Sequence, residues 1–127
     1  MTTADRPGIP RLPLFLSLCL LALFAAAPAA FAHTHPDQMA PAADSTVAAP
    51  PAVTIHFSGD LEPKFSSITV TDAGGHVANK QSSTVGPDAK TMTLPLPTLA
   101  PGVYTANWIG VSLDTHRSQG DYKFTVK

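Results

Sequence analysis

An all-β fold, an antiparallel sandwich of six or seven short strands, Ig-like or Greek-key, is predicted for residues 33–127 by three features of the sequence. Short runs alternate apolar β-branched or aromatic residues with polar ones, as a half-buried strand does. Clusters of Pro, Gly, Asp and Ser separate the runs, which is where a chain reverses. Beyond residue 32 the apolar residues nowhere recur at helical spacing.

Taken in order, residues 1–32 read as a signal peptide. Arg6 and Arg11 make a basic start, Leu12 to Ala27 is a run rich in Leu, Ala and Phe, and Ala30-Phe31-Ala32 is a small-x-small cleavage site. Pro13 and Pro28 bound that run, which leaves it short for a membrane span of about 20 residues. Cleavage after Ala32 would leave His33 to Lys127 as a single domain with one modest core. From His33 to Pro51 the chain is rich in Ala and Pro and reads as an extended arm or short edge strand, since Pro36, Pro41, Pro50 and Pro51 lack backbone donors.

Val53 to Ser58 and Ser66 to Thr71 then alternate as strands, and Asp72-Ala73-Gly74-Gly75 supplies a tight turn from which the chain returns through His76 to Lys80. Gln81 to Ala89 is polar and carries Gly86-Pro87-Asp88, so a loop is expected. Lys90 to Leu94 alternates again. After a Pro-rich loop ending at Gly102, Val103 to Ile109 and Asp121 to Val126 carry the two strongest strand signals. Met92, Trp108 and Phe124 are expected in the core, while His56, between Ile55 and Phe57, should face solvent and His76 should cap the turn.

Composition excludes several kinds of chemistry. The formal net charge is −1 and no basic run occurs, so nucleic-acid binding has no electrostatic footprint. The single cysteine, Cys19, lies in the apolar leader, and the domain therefore has neither a disulfide nor a thiolate ligand. A metal bound here must be held by nitrogen, oxygen or thioether sulfur.

Nitrogen donors are concentrated at the expected new terminus, His33-Thr34-His35-Pro36. A terminal histidine offers its α-amine and its ring from one residue, so one chelate ring closes with little extra ordering. Far along the chain, Asp114 and His116 stand two residues apart, a spacing that in extended backbone points both side chains to one face about 7 Å apart. Nitrogen and oxygen donors in this number match Cu(II) better than calcium or magnesium. Each element also has a structural reading: an exposed tail, and an Asp that bonds backbone amides in a turn.

The terminal His33-Thr34-His35, the Ala42-Ala43-Asp44-Ser45-Thr46-Val47 segment, the strand ending Phe57-Ser58, Pro101-Gly102-Val103-Tyr104 leading to Trp108, and Val111 to His116 followed by Gly120-Asp121-Tyr122-Lys123-Phe124 together resemble the CopC family of periplasmic copper-binding proteins. The resemblance implies a seven-stranded Greek-key β-barrel or sandwich. It also implies one Cu(II) per mature chain in a histidine brace, with His33 binding through amine and ring beside Asp114 and His116. His35 falls where family members often carry a second histidine and is a candidate further ligand. A methionine-rich Cu(I) loop is the point of departure, since beyond residue 32 the chain has only Met39 and Met92.

A monomeric periplasmic carrier or buffer that passes copper to an inner-membrane CopD-type permease is the expected function. A histidine-brace copper oxidase or monooxygenase is the alternative. A third arrangement confines copper to the tail, held by the amine, two deprotonated amides and the His35 ring, which Thr34 permits and a proline there would not.

Overall fold

The computed structural model describes residues 33–127 together with Thr2, Ala4 and Gly8. The predicted leader otherwise lies outside the described residues. The chain divides into two units, Met1–Phe31 and Ala32–Lys127, and all the elements below belong to the second.

Eight strands form two four-stranded sheets: β1 (Pro36–Ala40), β2 (Thr46–Val47), β3 (Ala52–Phe57), β4 (Ser67–Thr71), β5 (Thr84–Val85), β6 (Thr91–Pro95), β7 (Gly102–Val111) and β8 (Arg117–Val126). One sheet runs β1-β3-β6-β5 and the other β2-β8-β7-β4. The all-β prediction holds, and β3, β4, β6 and β7 lie within a few residues of the predicted runs.

Several details differ from the prediction. The pair β2 and β8 is parallel, not antiparallel. The arm leaves β1 in the first sheet and docks on the second, where Asp44 N–H donates to Lys123 O at 2.7 Å and Thr125 N–H to Ser45 O at 2.8 Å. Between β1 and β2 the chain turns at residues 42–45, where Ser45 N–H donates to Ala42 O at 3.2 Å and Asp44 adopts a left-handed φ of 59°. β5 falls in the predicted loop, and its two residues, paired with Thr93 and Met92, are too few to show any periodicity. The return expected through His76 to Lys80 is a single bridge between Thr71 and Val77.

β8 also begins at Arg117, earlier than the apolar pattern announces. Its inward positions near that end are Ser118 and Gly120, which add no apolar side chain. The space is filled from β7: a Cβ built on Gly120 would stand 2.7 Å from Cζ2 of Trp108, its partner in the ladder. Trp108 in turn packs edge-on against Phe57 with ring centroids 5.4 Å apart. The strand was invisible there because its cross-strand neighbour supplies the ring.

The core lies between the sheets and follows the alternation. Val53, Ile55 and Phe57 of β3 and Met92 and Leu94 of β6 are fully buried, and they face Val70, Ala106 and Phe124 of the other sheet. Full burial of such side chains contributes about 1.5–3 kcal/mol each. Tyr104 stacks on Phe124 with centroids 5.9 Å apart while its hydroxyl donates to Ala100 O at 2.7 Å. Burial pushes the Tyr122 phenol up to about 12.

His56 faces outward as expected, though it is not simply solvated. A bulge in β1 between Pro36 and Gln38 leaves Asp37 unpaired, and its Oδ1 stands 2.5 Å from His56 Nδ1. At the turn after β4 the capping group is Asp72, not His76, because Asp72 Oδ1 accepts from Gly74 N–H and His76 N–H at 2.9 Å each.

Candidate metal centre

The β7–β8 hairpin closes through Ser112 to His116, and this loop carries two of the expected ligands. Its backbone is a turn and not the extended segment assumed from the two-residue spacing of Asp114 and His116. Ser112 N–H donates to His116 O and Thr115 N–H to Ser112 O, both at 2.9 Å, and Thr115 adopts a left-handed φ of 72°. The reversal does what alternation was expected to do. It brings Asp114 Oδ2 within 2.9 Å of His116 Nδ1, with both side chains more than half exposed.

Ser112, buried beneath the loop, fixes the carboxylate by donating its hydroxyl to Asp114 Oδ1. That bond, followed by the one to the His116 side chain, holds the Asp114 carboxyl down at about 2. The group is therefore an anion throughout the range in which proteins work. The base of the hairpin is tied to the segment after β3, since Glu62 N–H donates to Val111 O at 2.7 Å and Val111 N–H to Ser66 Oγ at 3.0 Å.

The amino-terminal arm reaches the same place. His33 presents its ring edge-on to His116 with centroids 5.6 Å apart and an interplanar angle of 86°. Thr34 is buried at 5 % exposure, and its carbonyl accepts from Ser118 Oγ at 2.6 Å. His35 points outward, its Nδ1 lying 3.2 Å from Ser58 Oγ and 3.2 Å from the His33 carbonyl. A hollow of about 300 Å³ beside the loop is lined by Thr34, Gly59, Asp60, Ser112, Leu113 and Asp114.

These separations can be tested against a single ion. With metal–nitrogen bonds of about 2 Å, two imidazoles sharing one ion have centroids no more than about 6.5 Å apart, and neighbouring donors in a square plane lie about 2.8 Å apart. The ring pair and the Asp114–His116 pair meet those limits. Among the described residues, however, no group of three or more His, Cys, Asp or Glu side chains is gathered closely enough to hold an ion alone. His116 Nδ1 and Asp114 Oδ2 face each other, and the His33 nitrogen is an amide as long as residue 32 precedes it. The residues fit a metal that takes the place of the proton between ring and carboxylate and draws its further nitrogens from His33.

His33, Asp114 and His116 thus come from opposite ends of the chain to one end of the sandwich, while His35 is held by Ser58. Sequence reasoning passed over Ser112, Ser58 and Ser118, and read Thr34 only as permitting a tail-only site. The Ser-x-Asp spacing of Ser112 and Asp114 could have flagged a side-chain turn. Nothing local marks Ser118, whose partner lies at the other end of the chain.

A family model described as "CopC domain" matches residues 37–127. Protein YobA of Escherichia coli K12 is 35% identical over 114 residues, covering 87% of this chain and 92% of its own. Copper resistance protein C of Escherichia coli is 39% identical over 106 residues, covering 77% and 84%. The crystal structure of CopC from Methylosinus trichosporium OB3b superposes with a TM-score of 0.70 at 34% identity, over 75% of this chain and 94% of that one.

Proposed function

The chain belongs to the CopC family, and from that premise we propose that it is a periplasmic copper-binding protein of copper resistance or homeostasis, which holds one Cu(II) and carries or buffers it. The observation that carries the reading is the meeting at one end of the sandwich of Asp114 Oδ2 and His116 Nδ1, 2.9 Å apart, with the His33 ring 5.6 Å from that of His116.

In this reading residues 1–32 direct export and are removed, and His33 then binds through its amine and its ring. His116 gives a third nitrogen. Asp114 gives an anionic oxygen that offsets part of the ion's charge. Nitrogen and carboxylate donors without thiolate suit Cu(II) and not Cu(I), which prefers sulfur. Binding and release need no bond making in a substrate, which fits a role in carriage, and the family resemblance suggests a membrane permease of the CopD type as the recipient.

Mass spectrometry of the exported protein, with and without added Cu(II), tests the terminus and the stoichiometry together. The expected outcome is a chain beginning at His33 that gains one copper. Asp114→Ala and His116→Ala should each weaken Cu(II) binding at least tenfold and alter its EPR spectrum. A different first residue, or a spectrum indifferent to both substitutions, would refute the proposed ligand set.

A further inference from the structure

Thr34 is the buried residue between two exposed histidines. In extended backbone neighbours point to opposite sides, so seating Thr34 inward aims both His33 and His35 outward. Its seat is made by two different parts of the fold. Gly59, just after β3, leaves the space that the Thr34 side chain occupies: a Cβ built on Gly59 would stand 2.9 Å from Thr34 Oγ1. Ser118, two residues beyond His116 on β8, donates its hydroxyl to the Thr34 carbonyl at 2.6 Å.

The next residue is fastened as well. His35 N–H donates to Ser58 Oγ at 3.2 Å, and Ser58 N–H donates to His35 O at 2.9 Å. The tail is thus stitched to the end of β3 on one side and to the start of β8 on the other.

That stitching bears on which way the terminus binds metal. Coordination by the tail alone would wrap the chain around the ion, with the amide nitrogens of Thr34 and His35 both deprotonated and the His35 ring turned inward. To do so Thr34 must leave its seat, and the His35 amide must give up Ser58. Coordination beside Asp114 and His116 requires neither, because the His33 ring already stands next to that of His116.

We infer that the seat built by Gly59 and Ser118 around Thr34 selects the coordination mode of the terminus, favouring the shared site with Asp114 and His116 over the tail-only site. Thr34 acts as a positioning residue through His33 and touches no metal itself. The inference rests on the ligand set proposed above, and it makes Gly59 and Ser118 determinants of that set although neither is a metal-binding residue type in this fold.

The test compares the exported protein with its Gly59→Ala and Ser118→Ala variants and with a synthetic peptide of residues 33–36. Backbone amide hydrogen exchange at Thr34 and His35 is measured without metal, and EPR spectrum and affinity are measured with Cu(II). Retained far-UV circular dichroism shows that each variant folds. Gly59→Ala and Ser118→Ala should each speed exchange at His35, lower Cu(II) affinity at least tenfold, and move the EPR spectrum toward that of the peptide. Adding Thr34→Ala to Gly59→Ala removes the hydroxyl that the new methyl meets and should move the spectrum back.

Faster exchange with an unchanged copper spectrum and affinity in both variants would overturn the inference and leave the ligand set standing. A native protein whose spectrum already equals the peptide's, unaffected by Asp114→Ala, would instead defeat the ligand set and the inference with it.

Discussion

In the proposed site Asp114 would do more than contribute one oxygen. Its carboxyl, held at about 2 first by Ser112 and then by His116, carries its charge where a typical carboxylate begins to lose it. The sign follows from the depressed value: its stabilising contribution is in place above the ordinary 3.8 and disappears as pH falls through about 2. Acid sensitivity of copper binding should therefore come from the nitrogen donors of the proposed site, because a bound metal must displace their protons. We expect Cu(II) affinity to fall as the solution is acidified from neutrality, with Asp114→Asn weaker by a constant factor throughout. Isothermal titration of both proteins at several pH values checks this. Convergence of the two curves toward the acid end would mean that the carboxyl is being protonated there and that the Ser112 bond does not hold it. Ser112 shows why residue types alone under-read a site: its hydroxyl fixes the Asp114 carboxylate without being a proposed ligand itself.

At the level of elements, the hairpin of β7 and β8 carries both Asp114 and His116, the proposed loop ligands, and the tightest packing constraint near them. Gly120 faces Trp108 in the ladder, and the indole lies where any side chain at 120 would go. Gly120→Ala should destabilise the fold by about 1–3 kcal/mol, the usual cost of overpacking a filled site. Trp108 is the chain's single tryptophan, so its fluorescence reports the displacement directly. Denaturant unfolding followed by that fluorescence checks the prediction, and a variant as stable as the parent would show that the ring moves freely. The same pair explains which strands were legible. β3 and β6 alternate cleanly because each supplies its own inward side chains, whereas the first residues of β8 receive theirs from Trp108.

Across the whole molecule, the site exists because the sandwich joins distant segments. Ser118 and Thr34 lie 84 residues apart in the chain and share a hydrogen bond. An unfolded chain retains the tail donors but loses their proximity to Asp114 and His116. Beyond the urea midpoint of the exported protein, the Cu(II) EPR spectrum should therefore match that of the isolated peptide of residues 33–36 and become insensitive to Asp114→Ala. Persistence of the native spectrum in the unfolded chain would show that the sandwich contributes nothing to coordination.

The sequence by itself determined the class of fold, through the alternation of Val53, Ile55 and Phe57 and of Met92 and Leu94, because period-two burial is a local property of extended chain. It also bounded the donors of the proposed site, since the chain's one cysteine, Cys19, lies before residue 33 and leaves nitrogen, oxygen or thioether sulfur. The tertiary structure alone decided that the arm runs parallel to β8 at β2, that the His33 ring stands beside that of His116, and that Thr34 is seated against Gly59 and Ser118. Those are contacts between residues far apart in the chain. Local patterning records which face of a strand is buried, but not which distant segment is packed against it.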